Sequence, residues 1–171
     1  MKTLLGAATF IFFLMLGVLA GLFNFEPAPQ KEAISKSQYI DHKRQIACLA
    51  DNIYYEAGNQ SITGKKAVAY VTLNRMRNSN WPSDVCQIVY QRTVSKELNK
   101  TICQFSWVCE QRRSKNDTVW EQSYNIARHV WYKYDASTDP TNGATYFHAT
   151  YVRPQWNYQK TIQIGDHIFY K

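Results

Sequence analysis

Glu56 is the residue best placed to move a proton. Ile46, Leu49, Ala50, Ile53 and Ala57 recur at helical spacing through residues 41–57, and Gly58 follows as a C-terminal stop. Glu56 comes seven residues after Leu49 and three after Ile53, so it projects beside the apolar stripe near the helix end and not from the solvated face. Half-burial there raises a carboxyl pKa by desolvation, as a general acid working near neutral pH requires. The plainer role, a boundary glutamate paired with Lys65 or Lys66, is the one periodicity alone favours.

Other chemistry is less well supported. His148 and His167 invite a zinc reading, but they are far apart in sequence and have neither an H-x-x-x-H partner nor an obvious third ligand, so no metal site is expected. Nor is any cofactor expected. A cysteine-nucleophile hydrolase needs a reactive thiolate. Cys48, Cys86, Cys103 and Cys109 are instead an even set without a C-x-x-C pair, suited to disulfides. Closeness in sequence favours Cys103 with Cys109, leaving Cys48 with Cys86; free buried thiols are the alternative. Tyr54, Tyr55, Trp81, Phe105, Trp107, Tyr146, Tyr151 and Trp156 are able to line a carbohydrate groove, although each alone is as well suited to core or rim.

The elements that must hold these residues read as α+β, mainly helical, in a single domain. Residues 64–77 form a second helix, apolar enough on most sides to be central and ended by Asn74 and Arg75. Ser83 and Asp84 cap a shorter helix carrying Val85, Ile88 and Val89, while Trp120, Tyr124, Ala127 and Trp131 mark another. Ala144–His148, then Ile162 and Ile164, then Ile168 and Tyr170 after Gly165-Asp166, suggest short strands closing as a C-terminal β-hairpin.

The N-terminus sets the expected compartment. No charge interrupts Thr3–Phe25, a stretch long enough to span a bilayer, which takes about 20 residues. Lys2 supplies the cytoplasmic positive charge. Residues 1–25 therefore read as a signal anchor or, if cut after Val18-Leu19-Ala20, a signal peptide; 26–37 read as a polar, proline-bearing linker; and 38–171 as the functional domain. The domain is expected on the periplasmic or extracellular side, held to the inner membrane through the N-terminal segment, or secreted if that segment is cleaved. With 20 Lys plus Arg against 13 Asp plus Glu the net charge is +7, which suits an anionic partner; export argues against nucleic acid, and no run of five like charges occurs. Oligomeric state is not legible.

The order of short motifs carries a resemblance. Ala50-Asp51-Asn52-Ile53-Tyr54-Tyr55-Glu56-Ala57-Gly58 and the run Gly64–Arg75 are followed by Trp81-Pro82, Val89-Tyr90-Gln91 and Cys103-Gln104-Phe105-Ser106. Then come Asp139–His148, Pro154-Gln155-Trp156 and Ile164–Tyr170. Together they resemble the SleB-like, spore-cortex-lytic family of cell wall hydrolases over nearly the whole of residues 38–171. The resemblance implies a lysozyme-like domain that cuts the peptidoglycan glycan strand between muramic acid and glucosamine. It puts the catalytic glutamate on Glu56, and substrate-binding or supporting positions on Asn74, Phe105, Ser106, Tyr146, His148 and His167.

One carboxylate is enough for a lytic transglycosylase, which closes an anhydro ring on the muramic acid. A hydrolytic muramidase usually needs a second. Asp51, Glu110, Asp135, Asp139 and Asp166 are the candidates, and no pattern singles one out. Arg75 and Lys65 are able to hold wall carboxylates. A non-catalytic wall-binding module and a zinc amidase or peptidase are the competing readings. A small anchored lysin of this kind suits a phage endolysin as well as cellular remodelling.

Overall fold

Five helices and five strands succeed one another among residues 34–110 and 114–171, which the computed structural model describes. The N-terminal segment 1–25 and most of the linker lie outside the described residues. Among the described residues no helix is long and apolar enough to cross a membrane. The compact unit runs from Ser35 to Lys171.

Helix α1, Lys36–Ala57, begins inside the stretch read as linker. The reason is a capping box: Ser35 Oγ accepts from the Gln38 backbone N–H at 3.2 Å, and Gln38 Oε1 accepts from the Ser35 N–H at 3.0 Å. At the other end Gly58 keeps right-handed angles, φ −56° and ψ −29°, so it is not a left-handed stop. Its hydrogen side chain is needed for space, because a Cβ there would lie 2.5 Å from the Tyr54 carbonyl oxygen.

Helix α2, Ile62–Arg77, is the central element. Ala69, Tyr70 and Leu73 join Ile46, Leu49, Ala50 and Ile53 of α1 in the main core, with Ile126, Ala127 and Val130 of helix α5, Asp117–Lys133. Its opposite side, through Ala67 and Val71, packs on Ala144 and Phe169 in a smaller core. An apolar surface on two sides is what a helix sandwiched between layers needs. The short helix α3, Val85–Val89, is capped by Asp84 and tied to α1 by the Cys48–Cys86 disulfide.

Strands β1, Arg92–Ser95, and β2, Lys100–Cys103, form an antiparallel hairpin that the sequence does not announce. Both are largely exposed and show no alternation of apolar and polar residues. The one-turn helix α4, Ser106–Cys109, follows, and the Cys103–Cys109 disulfide closes this loop onto β2. No free cysteine occurs among the described residues, so the pairing favoured by sequence proximity is the one formed.

The last three strands are β3, Tyr146–Ala149, β4, Lys160–Ile164, and β5, His167–Tyr170, arranged antiparallel in the order β3-β5-β4. The expected hairpin is the β4–β5 half, turned at Gly165 with φ +54°. β3 adds a third strand through long-range pairing, Tyr146 opposite Tyr170 and Ala149 opposite His167. The architecture is α+β, with the helices first and the sheet against one side of α2.

Candidate active site

Glu56 occupies the last turn of α1, where the helix has already committed Ile53 and Ala57 to the core, both fully buried. Its carboxyl faces a cleft of about 770 Å³ between the helical layer and the segment β3–β5. Burial pushes the carboxyl up from 4.5 to about 7. Arg75 opposes the rise, Glu110 adds to it, and a hydrogen bond from Trp107 opposes it again. A carboxylic acid half protonated near neutrality is able both to give a proton and to take one back.

Arg75, in the last turn of α2, is the cation of the cleft. It is only 3% exposed. Its Nε donates to the Thr145 carbonyl at 2.6 Å, and its guanidinium lies 4.4 Å from the Trp81 ring centroid, 5.4 Å from Phe105 and 5.8 Å from Tyr146. Burial pulls its pKa down to about 10, which leaves it charged at neutral pH. Nη1 is buried without a hydrogen-bond partner, and the guanidinium charge acts on Glu56. Lys65 is not here: it is buried against Gln122 on α5.

The other wall is aromatic. Tyr146 opens β3 and stacks on Tyr158 at 4.2 Å, and Trp156 packs between Tyr158 and His148. Tyr151 stands 84% exposed at the rim. His148 Nδ1 donates to the Ala149 carbonyl at 2.8 Å, and Nε2 shares a 2.9 Å hydrogen bond with the Tyr170 hydroxyl. His167 lies deeper, edge-on to Phe147, and burial lowers its pKa, so it is neutral at pH 7. The floor is the disulfide loop. Phe105 is buried at the start of α4, Ser106 is exposed to the cleft, and Trp107 stacks on Tyr55 at 4.4 Å.

Six of the seven residues expected at the site therefore line one cleft: Glu56, Phe105, Ser106, Tyr146, His148 and His167. Asn74 does not. It is buried beneath, donating from Nδ2 to Asp139 Oδ2 at 2.8 Å and to the Ala144 carbonyl at 2.9 Å, and accepting from the Tyr134 hydroxyl at 2.8 Å. Asp139 in turn accepts from the Thr141 and Gly143 backbone N–H groups at 2.8 Å each. This network fixes the loop that delivers β3, so Asn74 acts on the cleft through Tyr146 and its neighbours.

Of the five candidate second carboxylates, four hold structure. Asp51 pairs with Lys115 and accepts from Trp120 and Tyr90; Asp135 caps the one-turn helix Ala136–Thr138; Asp139 anchors its loop; and Asp166 accepts from Gln60. Only Glu110 lines the cleft with Glu56. No group of three or more histidine, cysteine or carboxylate side chains able to hold a metal occurs among the described residues. The cleft residues that sequence reasoning did not weigh as site residues are Phe147, Ala149 and Val152 and the polar pair Tyr158 and Gln104. Tyr158 and Gln104 have no spacing signal, because both reach the cleft from irregular chain.

A half-buried carboxylic acid facing an aromatic wall is the arrangement that cleaving a glycan calls for. The chain belongs to the cell wall hydrolase family, whose model matches residues 59–170, and it is a peptidoglycan-degrading enzyme. Glu56 lies just before that matched stretch.

Two solved structures share the fold. One is the catalytic domain of the SleB protein of Bacillus cereus, 22% identical, covering 75% of this chain and 91% of that one with a TM-score of 0.53. The other is the catalytic domain of the germination-specific lytic transglycosylase SleB from Bacillus anthracis, 23% identical, covering 82% and 98% with a TM-score of 0.54. No curated protein matches the sequence significantly.

Proposed function

We propose that the domain cleaves the glycan strand between muramic acid and glucosamine as a lytic transglycosylase, with Glu56 as its one acid and base. The observation that carries this reading is the Glu56 carboxyl, half-buried in the cleft and poised at about 7 beside the buried cation of Arg75. Protonated Glu56 gives its proton to the glycosidic oxygen as the bond to the muramic anomeric carbon breaks and an oxocarbenium-like sugar develops. The carboxylate left behind is stabilised by Arg75 and takes the proton of the muramic 6-hydroxyl. That oxygen then attacks the anomeric carbon and closes the 1,6-anhydro ring. No water is consumed, and Glu56 ends as it began. The lysozyme-like layout, a glutamate at a helix end facing a small sheet, suits this chemistry, and the lytic transglycosylase named for the B. anthracis relative agrees with it.

Glu110 favours a second reading. It lines the same cleft and its charge acts on Glu56, so it is positioned to activate water for a hydrolytic muramidase. The separation of the two carboxyls would then set the stereochemistry, about 5 Å for retention and about 6.5–9.5 Å for inversion. Mass spectrometry of the products from purified peptidoglycan decides. Anhydromuramyl ends, lost in Glu56→Gln and kept in Glu110→Gln, are expected. Reducing muramic ends lost in both variants would establish hydrolysis instead.

We also propose that the domain works outside the cytoplasm, carried there by residues 1–25 and joined to the membrane by them unless cleaved. Two disulfides suit an oxidising compartment. Fractionation of cells making the full chain is expected to place it in the membrane fraction, accessible to protease from the outer side. Recovery from the cytoplasm with reduced cysteines would refute export.

A further inference from the structure

The cleft does not end at Tyr146. A second cavity of about 480 Å³ shares Tyr146 and Gln104 with it and opens between the loop after α2, at Asn80 and Trp81, and the β1–β2 hairpin, at Thr93. The two spaces differ in chemistry. The catalytic cleft contains Glu56, Arg75 and Glu110, whereas no charged side chain lines the second cavity. What it offers are three side-chain amides, Asn80, Gln91 and Gln104, a threonine hydroxyl, and the rings of Trp81 and Tyr146. Those rings meet edge to face at 6.0 Å, so the aromatic wall that runs through Tyr158 and Trp156 continues into this space. Gln91 Oε1 is buried without a hydrogen-bond partner, an acceptor lacking a donor.

We propose that this cavity is a further saccharide subsite, holding an N-acetylated hexosamine of the same glycan strand beyond the sugars that flank Glu56. The proposal rests on the reading of the domain as a glycan-strand cutter. An N-acetyl sugar presents an amide, which side-chain amides match with both donor and acceptor, hydroxyls, and an apolar ring face that packs on Trp and Tyr. Of the strand's two N-acetyl sugars, the glucosamine unit has no charge, like the cavity, and is the one that fits it. The stem peptide, with its carboxylates, would find no charged side chain in the lining, since Arg75 lies against the Trp81 ring without lining the cavity. The Cys103–Cys109 disulfide fixes the relation of the two spaces, since Cys103 lines the second cavity and Cys109 precedes Glu110 of the first.

The consequence is a preference for long strands. kcat/KM of the full-length protein on peptide-free glycan oligomers of increasing length is expected to step up by about tenfold at the length that first reaches the cavity, the worth of one or two good contacts. Gln91→Leu removes the unpartnered acceptor, and Thr93→Trp fills the cavity from an exposed strand position. Both are expected to abolish the step, with the shortest cleavable oligomer as internal reference. If Gln91→Leu does not fold, Thr93→Trp carries the test alone.

A wild-type rate that rises without a step, or variants that lower every length equally, would overturn the subsite while leaving glycan cleavage intact. A loss seen only on strands that keep their stem peptides would overturn it in favour of a peptide site. Failure of the wild type to cut any glycan, in oligomers or in whole peptidoglycan, would remove the functional reading itself and the subsite with it.

Discussion

The two walls of the cleft are built on different physical terms. The helical wall carries the charges: Glu56 and Arg75 sit at the ends of α1 and α2, where neighbouring residues are fully buried and the backbone is locked by helix hydrogen bonds. The strand wall carries neutral rings, several of them exposed, with Tyr151 at 84% and Trp156 at 40%, on irregular chain between β3 and β4. A charge that must be desolvated needs a rigid support, because any opening admits water and returns its pKa to the ordinary range. A ring that grips sugar needs only its face. The division suggests that the helical wall does the chemistry and the strand wall holds the substrate.

The sharpest way to break that division is Glu56→Gln. It is expected to lower glycan cleavage by about 10³-fold or more while retention on insoluble peptidoglycan is unchanged. Cleavage within tenfold of wild type would move the chemistry elsewhere.

The disulfides extend the comparison to stability. Replacing Cys48 and Cys86, 38 residues apart, by serine is expected to cost about 4 kcal/mol in denaturant unfolding, and replacing Cys103 and Cys109, six apart, about 2 kcal/mol. The second pair positions Phe105, Trp107 and Glu110, so its loss is expected to reduce activity more than its smaller effect on stability implies. Equal losses of activity from both pairs would argue against a special role for the α4 loop.

Arg75→Met sharpens the electrostatic half. Without the cation that opposes burial, Glu56 titrates higher, so the alkaline fall of kcat/KM, expected near pH 7 in the wild type, moves to higher pH, and the rate at its optimum drops by about 10-fold. Arg75→Lys keeps the charge and is expected to restore most of the profile; a purely structural role would leave the pH midpoint unmoved in both.

The smallest effect expected is on the strand wall. Trp156→Ala should raise KM a few-fold to about 10-fold with little change in kcat, the signature of lost uniform binding. A drop in kcat of similar size would instead give that wall a part in the transition state.

The same contrast explains what was readable beforehand. The half-buried position of Glu56 was legible because a 3.6-residue stripe locates such a face without knowledge of the fold, whereas a catalytic role was suggested only by the order of motifs. Helices α1 and α5 were legible for the same reason, though α1 begins earlier than its apolar stripe, at a capping box formed by Ser35 and Gln38, while the one-turn α4 is too short to show a period. Tertiary partners were not. That Arg75 faces Glu56 while Lys65 turns to Gln122 depends on how α2 is rotated between two cores, and α2 is apolar on nearly every side. Asn74 was found by motif but not by role, because its network joins three segments distant in sequence. The β1–β2 hairpin had no signal at all, being short, polar and exposed.

The central claim is that the fold holds a carboxylic acid near neutrality, and titration of Glu56 tests it most directly. Difference infrared spectroscopy of the wild type, with Glu56→Gln as the blank, is predicted to show one carboxyl protonating with a midpoint near 7. Linkage supplies a second signal in the same samples. A carboxyl raised above its unfolded value of 4.5 lowers stability progressively as pH rises toward about 7, so Glu56→Gln should be more stable than wild type above pH 7, by up to ~3 kcal/mol. A midpoint in the ordinary carboxylate range, with no gain in stability for the variant at pH 8, would contradict the account.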